Sequence, residues 1–217
     1  MKFEVKPYGY DAVLLSFGDE ISLEMHNQVK KLYSELRNYA KLGIRAAIPS
    51  YCAVTILFEP KIVSLKEVIE LSKNIVNENK VQEGKKYKVR IPVCYDKQFA
   101  LDWEIVCDYT GLNWEEVVEL HFCNEYLVYM LGFVPGFLYL GGLNEQIRIP
   151  RKSSPRLHIP KGSVGLADSQ TGVYPLETPG GWQLIGNSPI ELIDVNTAAV
   201  EMGDYLEFFP ITKKQHA

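Results

Sequence analysis

The sequence lacks any surplus of positive charge. It sets 23 Lys and Arg against 27 Asp and Glu, for a formal charge of −4. A surface that neutralises nucleic-acid phosphates needs a clustered excess of cations, so a nucleic-acid partner is not expected. The densest basic run, Lys85 to Lys88, is flanked by Glu83 and reads as a solvated linker entering a strand. Cysteine is also sparse. Cys52, Cys94, Cys107 and Cys123 show neither C-x-x-C spacing nor the density of a disulfide scaffold, and read as buried thiols of a reduced, cytoplasmic protein. The first residues lack the apolar stretch and small-residue cleavage site of a signal peptide. Tyr126 to Leu143 is uncharged, yet Pro135, four glycines and three tyrosines break any continuous helix, so no membrane span is expected. There is no G-x-x-x-x-G-K-[ST] phosphate loop, no G-x-G-x-x-G fingerprint and no G-x-S-x-G elbow. No histidine has partners at metal-ligand spacing, so no metal site is expected.

What is present divides along the chain. Phe3 to Tyr8 and Ala12 to Phe17 are short apolar runs around Gly9 to Asp11, the pattern of a strand pair. Met25, Val29, Leu32, Tyr33, Leu36 and Ala40 form one helical stripe ending before Gly43. Ile44 to Ile48 and Ala53 to Phe58 read as two further strands, and Ser64 with Glu67 as a capping box opening a second helix. The order β-β-α-β-β-α suits a small α/β sandwich. Polar Asn77 to Lys88 then marks a boundary, which we place so that residues 1–82 and 83–217 form two domains. Beyond it a strand at Tyr87 to Val93 and short helices at Leu101 to Tyr109 and Asn113 to His121 precede a series of short strands punctuated by Gly and Pro, the texture of a β-barrel or sandwich.

Two segments, Leu131 to Leu143 and Gln170 to Gly186, combine fixed or permissive backbones with aromatics. Such loops are held in one shape, and function is expected there. His121 closes a helix, where the dipole favours the imidazolium, so it is a candidate acid, base or anion contact; the alternative is a plain capping histidine. Glu177, fixed between prolines, is a candidate for polarising water or binding an amide, with Gln170 as a neutral donor and acceptor; the alternative is a carboxylate serving its own turn. Phe137, Tyr139, Tyr174 and Trp182 are candidates for pocket walls or a partner anchor, or for plain core.

At these motifs the chain resembles the family of the 5-oxoprolinase subunit designated B, also called allophanate hydrolase subunit 1 or the KipI kinase-inhibitor family. The resemblance runs nearly end to end, through Asp11 to Gly18, Leu120 and His121, Gly132 to Leu143, Pro150 to Arg156, Ile159 to Gly165 and Gln170 to Gly186. It implies an α+β protein: a small N-terminal α/β sandwich followed by a cyclophilin-like β-barrel. It further implies a component that works with 5-oxoprolinase subunits C and A in the ATP-dependent opening of 5-oxoproline to glutamate, this chain itself holding no cofactor. In the alternative it is a regulatory module docking on a sensor histidine kinase. On the enzyme reading His121, Glu177 and Gln170 are the catalytic candidates. Pro135, Gly136, Phe137, Tyr139, Arg156, Tyr174, Pro179, Gly180, Gly181 and Trp182 would then contact substrate or partner. One departure stands out: the family often has a glycine pair where this chain has Ala167 to Ser169, which puts a glycine-specific φ in doubt.

Overall fold

The computed structural model describes residues 3–78, 88–190 and 200–216. The protein is mixed α and β and divides into two compact units, Met1–Lys85 and Lys86–Ala217. The stretch expected to join two domains falls largely outside the described residues.

In the first unit, strands β1 (Glu4–Pro7), β2 (Ala12–Ser16), β3 (Ile44–Pro49) and β4 (Ala53–Phe58) form an antiparallel sheet of order β1-β2-β4-β3. Val13 and Leu15 of β2 and Val54, Ile56 and Phe58 of β4 are buried, while the alternating Leu14, Thr55 and Leu57 are half-buried. This is the period-2 pattern of a sheet with one face on a core. Helix α1 (Leu23–Leu36) adds Val29, Leu32 and Leu36, and α2 (Leu65–Asn77) adds Val68, Ile75 and Val76. The Ser64–Glu67 capping box forms as the sequence predicts. The first helix is shorter than its stripe: it tightens to a 3-10 turn over Arg37–Leu42, then stops at Gly43 with φ +93°. A Cβ on Gly43 would also lie 2.9 Å from Val63 Cγ1.

The second unit contains β5 (Lys88–Val93), α3 (Trp103–Thr110), α4 (Trp114–Phe122), β6 (Glu125–Leu131), β7 (Leu138–Gly141), β8 (Arg156–Ile159), β9 (Ser163–Ala167), β10 (Gln170–Val173), β11 (Thr178–Gly180), β12 (Gln183–Asn187), β13 (Tyr205–Pro210) and α5 (Lys213–His216). Seven strands form one curled sheet of order β12-β9-β10-β7-β6-β13-β5, with β5 parallel to β13 and the other pairs antiparallel. The two edge strands meet: Cys94 and Asn187 exchange backbone hydrogen bonds of 2.8 and 3.0 Å. Strands β8 and β11 pair separately.

Alternation along the strands builds two cores. Val128, Leu138, Leu140, Val164, Leu166, Val173, Ile185 and Leu206 face one way and pack with Val106, Trp114 and Val117 of α3 and α4. Phe137, Ala167, Tyr174, Trp182 and Leu184 face the other way, joined by Ile159 of β8. The turn at Ala167 to Ser169 holds a positive φ without a glycine: Asp168 itself takes φ +54°, a conformation a short polar side chain tolerates. The cysteines are all free, but only Cys94 is buried and Cys123 is exposed. The expectation of four buried thiols is thus corrected; Cys123 follows the last turn of α4, where a polar loop begins. No helix among the described residues is long and apolar enough to cross a membrane.

Candidate functional site

Helix α4 starts at Asn113, which caps it reciprocally with Glu116, and its last turn carries His121 inward. The residue has no exposed surface. Tyr95 Oη lies 2.7 Å from its Nδ1, Thr171 Oγ1 lies 2.9 Å from its Nε2, and the Thr171 hydroxyl donates to Gly165 O at 3.1 Å. With the threonine proton spent on Gly165, Thr171 accepts from Nε2–H, and Nδ1 accepts from the tyrosine hydroxyl. His121 is therefore a neutral Nε2–H tautomer. Burial lowers its pKa from 6.5 to about 3. The imidazolium expected from the helix terminus does not form near neutrality, because loss of water outweighs a partial charge on the helix end.

The two motif segments meet on the second of these cores, the outer core, formed by Phe137, Tyr174 and Trp182. Phe137 meets Trp182 at 5.3 Å and Tyr174 at 4.9 Å between ring centroids, both nearly perpendicular. Tyr139 lies 5.9 Å from Trp182 and is half-buried. Gly172 makes this packing possible, since a Cβ there would come within 2.8 Å of Trp182 and 2.7 Å of Leu138 O. Phe137, Tyr174 and Trp182 are buried, Trp182 being 4% exposed, so these aromatics build a core beneath the loops rather than its open wall. What reaches solvent is the rim. Phe133 is 59% exposed, holds φ +68° and is closed by a three-residue turn, Val134 N–H to Gly132 O at 2.9 Å. It borders a shallow cavity of about 290 Å³ lined by Leu131 to Gly136, with Pro135 exposed and Gly136 half-buried.

The remaining candidates lie on neighbouring loops. Glu177 is exposed and meets His158 Nδ1 at 3.3 Å. Pro179 is exposed, and Gly180 and Gly181 are half-buried. Gly180 packs on Tyr174, whose hydroxyl oxygen would be 2.5 Å from a Cβ there, and Gly181 O accepts from Lys152 N–H at 2.7 Å. Gln170 is buried at the opposite end of β10 from Tyr174. Both ring nitrogens of His121 are engaged by Tyr95 and Thr171, so neither Gln170 nor Glu177 holds that ring.

Arg156 turns inward to Asp102, with NH1 to Oδ2 at 2.6 Å and NH2 to Oδ1 at 2.8 Å. Lys152 Nζ donates to Oδ1 at 2.9 Å and Leu184 N–H to Oδ2 at 2.7 Å. Burial pushes the Asp102 carboxyl up, but the hydrogen bonds from Arg156, Leu184 and Lys152 outweigh it and hold the pKa below the ordinary value. Asp102 and Lys152 escape a reading of the sequence. Asp102 sits where an acid usually caps a helix but makes no side-chain cap bond, and its partners lie 50, 54 and 82 residues away. Among the described residues no three His, Cys, Asp or Glu side chains gather closely enough to hold a metal ion.

The model of the family "Carboxyltransferase domain, subdomain C and D" matches residues 3–202. The chain belongs to this family. This carboxyltransferase-domain chain is 36% identical to the 5-oxoprolinase subunit designated B in Bacillus subtilis (strain 168), over 100% of its own length and 96% of the relative's. Among solved structures, the protein TTHA0988 superposes with a TM-score of 0.82 at 33% identity; the match covers 92% of this chain but only 40% of that longer one. The Kluyveromyces lactis urea amidolyase shares the fold, with a TM-score of 0.79 at 17% identity over 98% of this chain and 15% of the amidolyase.

Proposed function

We propose that the chain is a non-autonomous subunit of an ATP-dependent 5-oxoprolinase, which opens 5-oxoproline to glutamate together with subunits A and C. The observation that carries this reading is the end-to-end likeness to a 5-oxoprolinase component of nearly the same length. The absence from the sequence of a known phosphate-binding loop agrees with ATP being handled by another subunit. On this reading residues 83–217 form a cyclophilin-like barrel that contributes half of a substrate pocket, the other half coming from the C component. The rim at Phe133, Pro135 and Gly136 and the loop around Glu177 and Pro179 meet the partner. The buried Phe137, Tyr174 and Trp182 and the glycines 180 and 181 support that rim from below.

Opening a lactam requires polarising its carbonyl and moving a proton to the leaving nitrogen. Exposed Glu177 is available for the proton, and Gln170, buried at the start of β10, is the neutral donor and acceptor. His121 acts only indirectly, by fixing Tyr95 and Thr171 inside the curled sheet. The test is reconstitution: ATP-dependent release of glutamate by the three purified subunits, and none by this chain alone. Steady turnover by the isolated chain, matching the complex, would refute the division of labour. An inactive mixture together with inhibition of a sensor histidine kinase would favour the regulatory alternative.

A further inference from the structure

Asp102 is enclosed by more cation than it needs. Arg156 and Leu184 N–H together give its two oxygens three hydrogen bonds, and Arg156 already balances its charge. Lys152 adds a second positive charge, so two cations face one carboxylate. Arg156 spends two N–H groups on Asp102 and Lys152 one; among the described residues neither head makes another side-chain hydrogen bond. Both side chains keep an accessible edge, 19% exposed for Lys152 and 24% for Arg156. The pair is fixed: Asp102 is buried at the start of α3, its own N–H donates to Leu184 O at 3.0 Å, and Lys152 N–H is tied to Gly181. Unspent donors on two immobilised cations, with one net positive charge and a planar guanidinium fork, form a receptor for a single-charged planar anion. A doubly charged phosphate would leave the cluster overbalanced.

We propose that Lys152 and Arg156, positioned by Asp102, bind the carboxylate of a small-molecule substrate at the loop that Gly181 holds in place. This deepens the proposed function and rests on it for the substrate's identity: 5-oxoproline carries one carboxylate, and its ring amide is neutral. Neither Lys152 nor Asp102 touches the reacting amide; the first holds the substrate and the second orients the holders.

The experiment is an NMR titration of the full chain, following the Arg156 Nε–H signal at constant ionic strength. The probes are sodium L-5-oxoproline, sodium acetate, sodium chloride and the uncharged amide of 5-oxoproline. The expected result is a saturable shift with 5-oxoproline and acetate, none with chloride or the amide, and at least about tenfold weaker binding in Lys152→Met. An unmoved signal, equal response to chloride, or unchanged affinity in Lys152→Met overturns the site. An acidic partner side chain as the true occupant would show as a silent titration with Lys152→Met weakening assembly, and also overturns it. Because Arg156→Met removes two of the four hydrogen bonds to the buried Asp102 carboxylate and can unfold the unit, Lys152→Met is the variant of choice. Steady-state rates of the reconstituted complex separate this claim from the reaction. Carboxylate binding without 5-oxoproline turnover sinks the reaction and keeps the site. Turnover with an unchanged KM in Lys152→Met sinks the site and keeps the reaction, and a raised KM at constant kcat supports both.

Discussion

His121 shows how one residue's role is decided by its surroundings. Its folded pKa of about 3 lies below the 6.5 of an exposed histidine. Between those values the unfolded chain binds a proton that the folded chain refuses, so stability falls as pH falls through that window, by about 1.4 kcal/mol per pH unit at most. Asp102, whose pKa is also held down, adds a loss in the same direction at lower pH. Urea denaturation across a pH series should show this slope, and His121→Gln should lessen it between pH 6.5 and about 3. A flat profile for the parent protein would mean that the ring is solvated. His121→Ala leaves the Tyr95 hydroxyl without its acceptor and opens a cavity, so we expect a loss of about 2–4 kcal/mol. Thermal melts and turnover on the same preparations should show early melting with normal rate per folded complex. A tenfold rate loss with an unchanged melt would place His121 in the chemistry after all.

At the scale of elements, the outer core depends on β10 staying bare at Gly172. Gly172→Ala drives a methyl group against Trp182 and Leu138 O, and should cost about 1–3 kcal/mol. Calorimetry on that variant beside Gly142→Ala, whose Cβ would meet only Glu125 O, at 3.1 Å, compares outer-core packing with backbone strain. A Gly172 variant as stable as the parent would deny that Trp182 packs there. Elements of this kind are legible where the signal is local. The capping boxes at Ser64 with Glu67 and Asn113 with Glu116 each join residues three positions apart, and both form. Strand runs such as Ala53 to Phe58 declare themselves by alternation. What stays hidden depends on the far side of the sheet. Trp182 and Ile185 are three residues apart yet enter different cores, and nothing in their identity says which. The pairs His121 with Thr171 and Asp102 with Arg156 bridge 50 and 54 residues, so no sequence window contains them. The rigidity of the motif segments is legible in their glycines and prolines, but their aromatics prove to be the support and Phe133 the exposed tip.

For the whole molecule, family membership and length match narrow the role more than any one side chain does. The match to TTHA0988 covers only 40% of that chain, so there this module is joined to further sequence. That arrangement suits a module that works beside others, and it agrees with an exposed rim of Phe133 and Pro135 on a unit whose own core is already filled. Co-purification of this chain with the C component should succeed, and Phe133→Asp should weaken it by at least about tenfold without lowering the melting temperature. Retained assembly in that variant would move the interface elsewhere. The most direct test of the central claim is glutamate formation from 5-oxoproline and ATP, measured for this chain alone, for subunits A and C without it, and for all three together. The account predicts turnover only in the complete mixture. Equal turnover in the absence of this chain would contradict it.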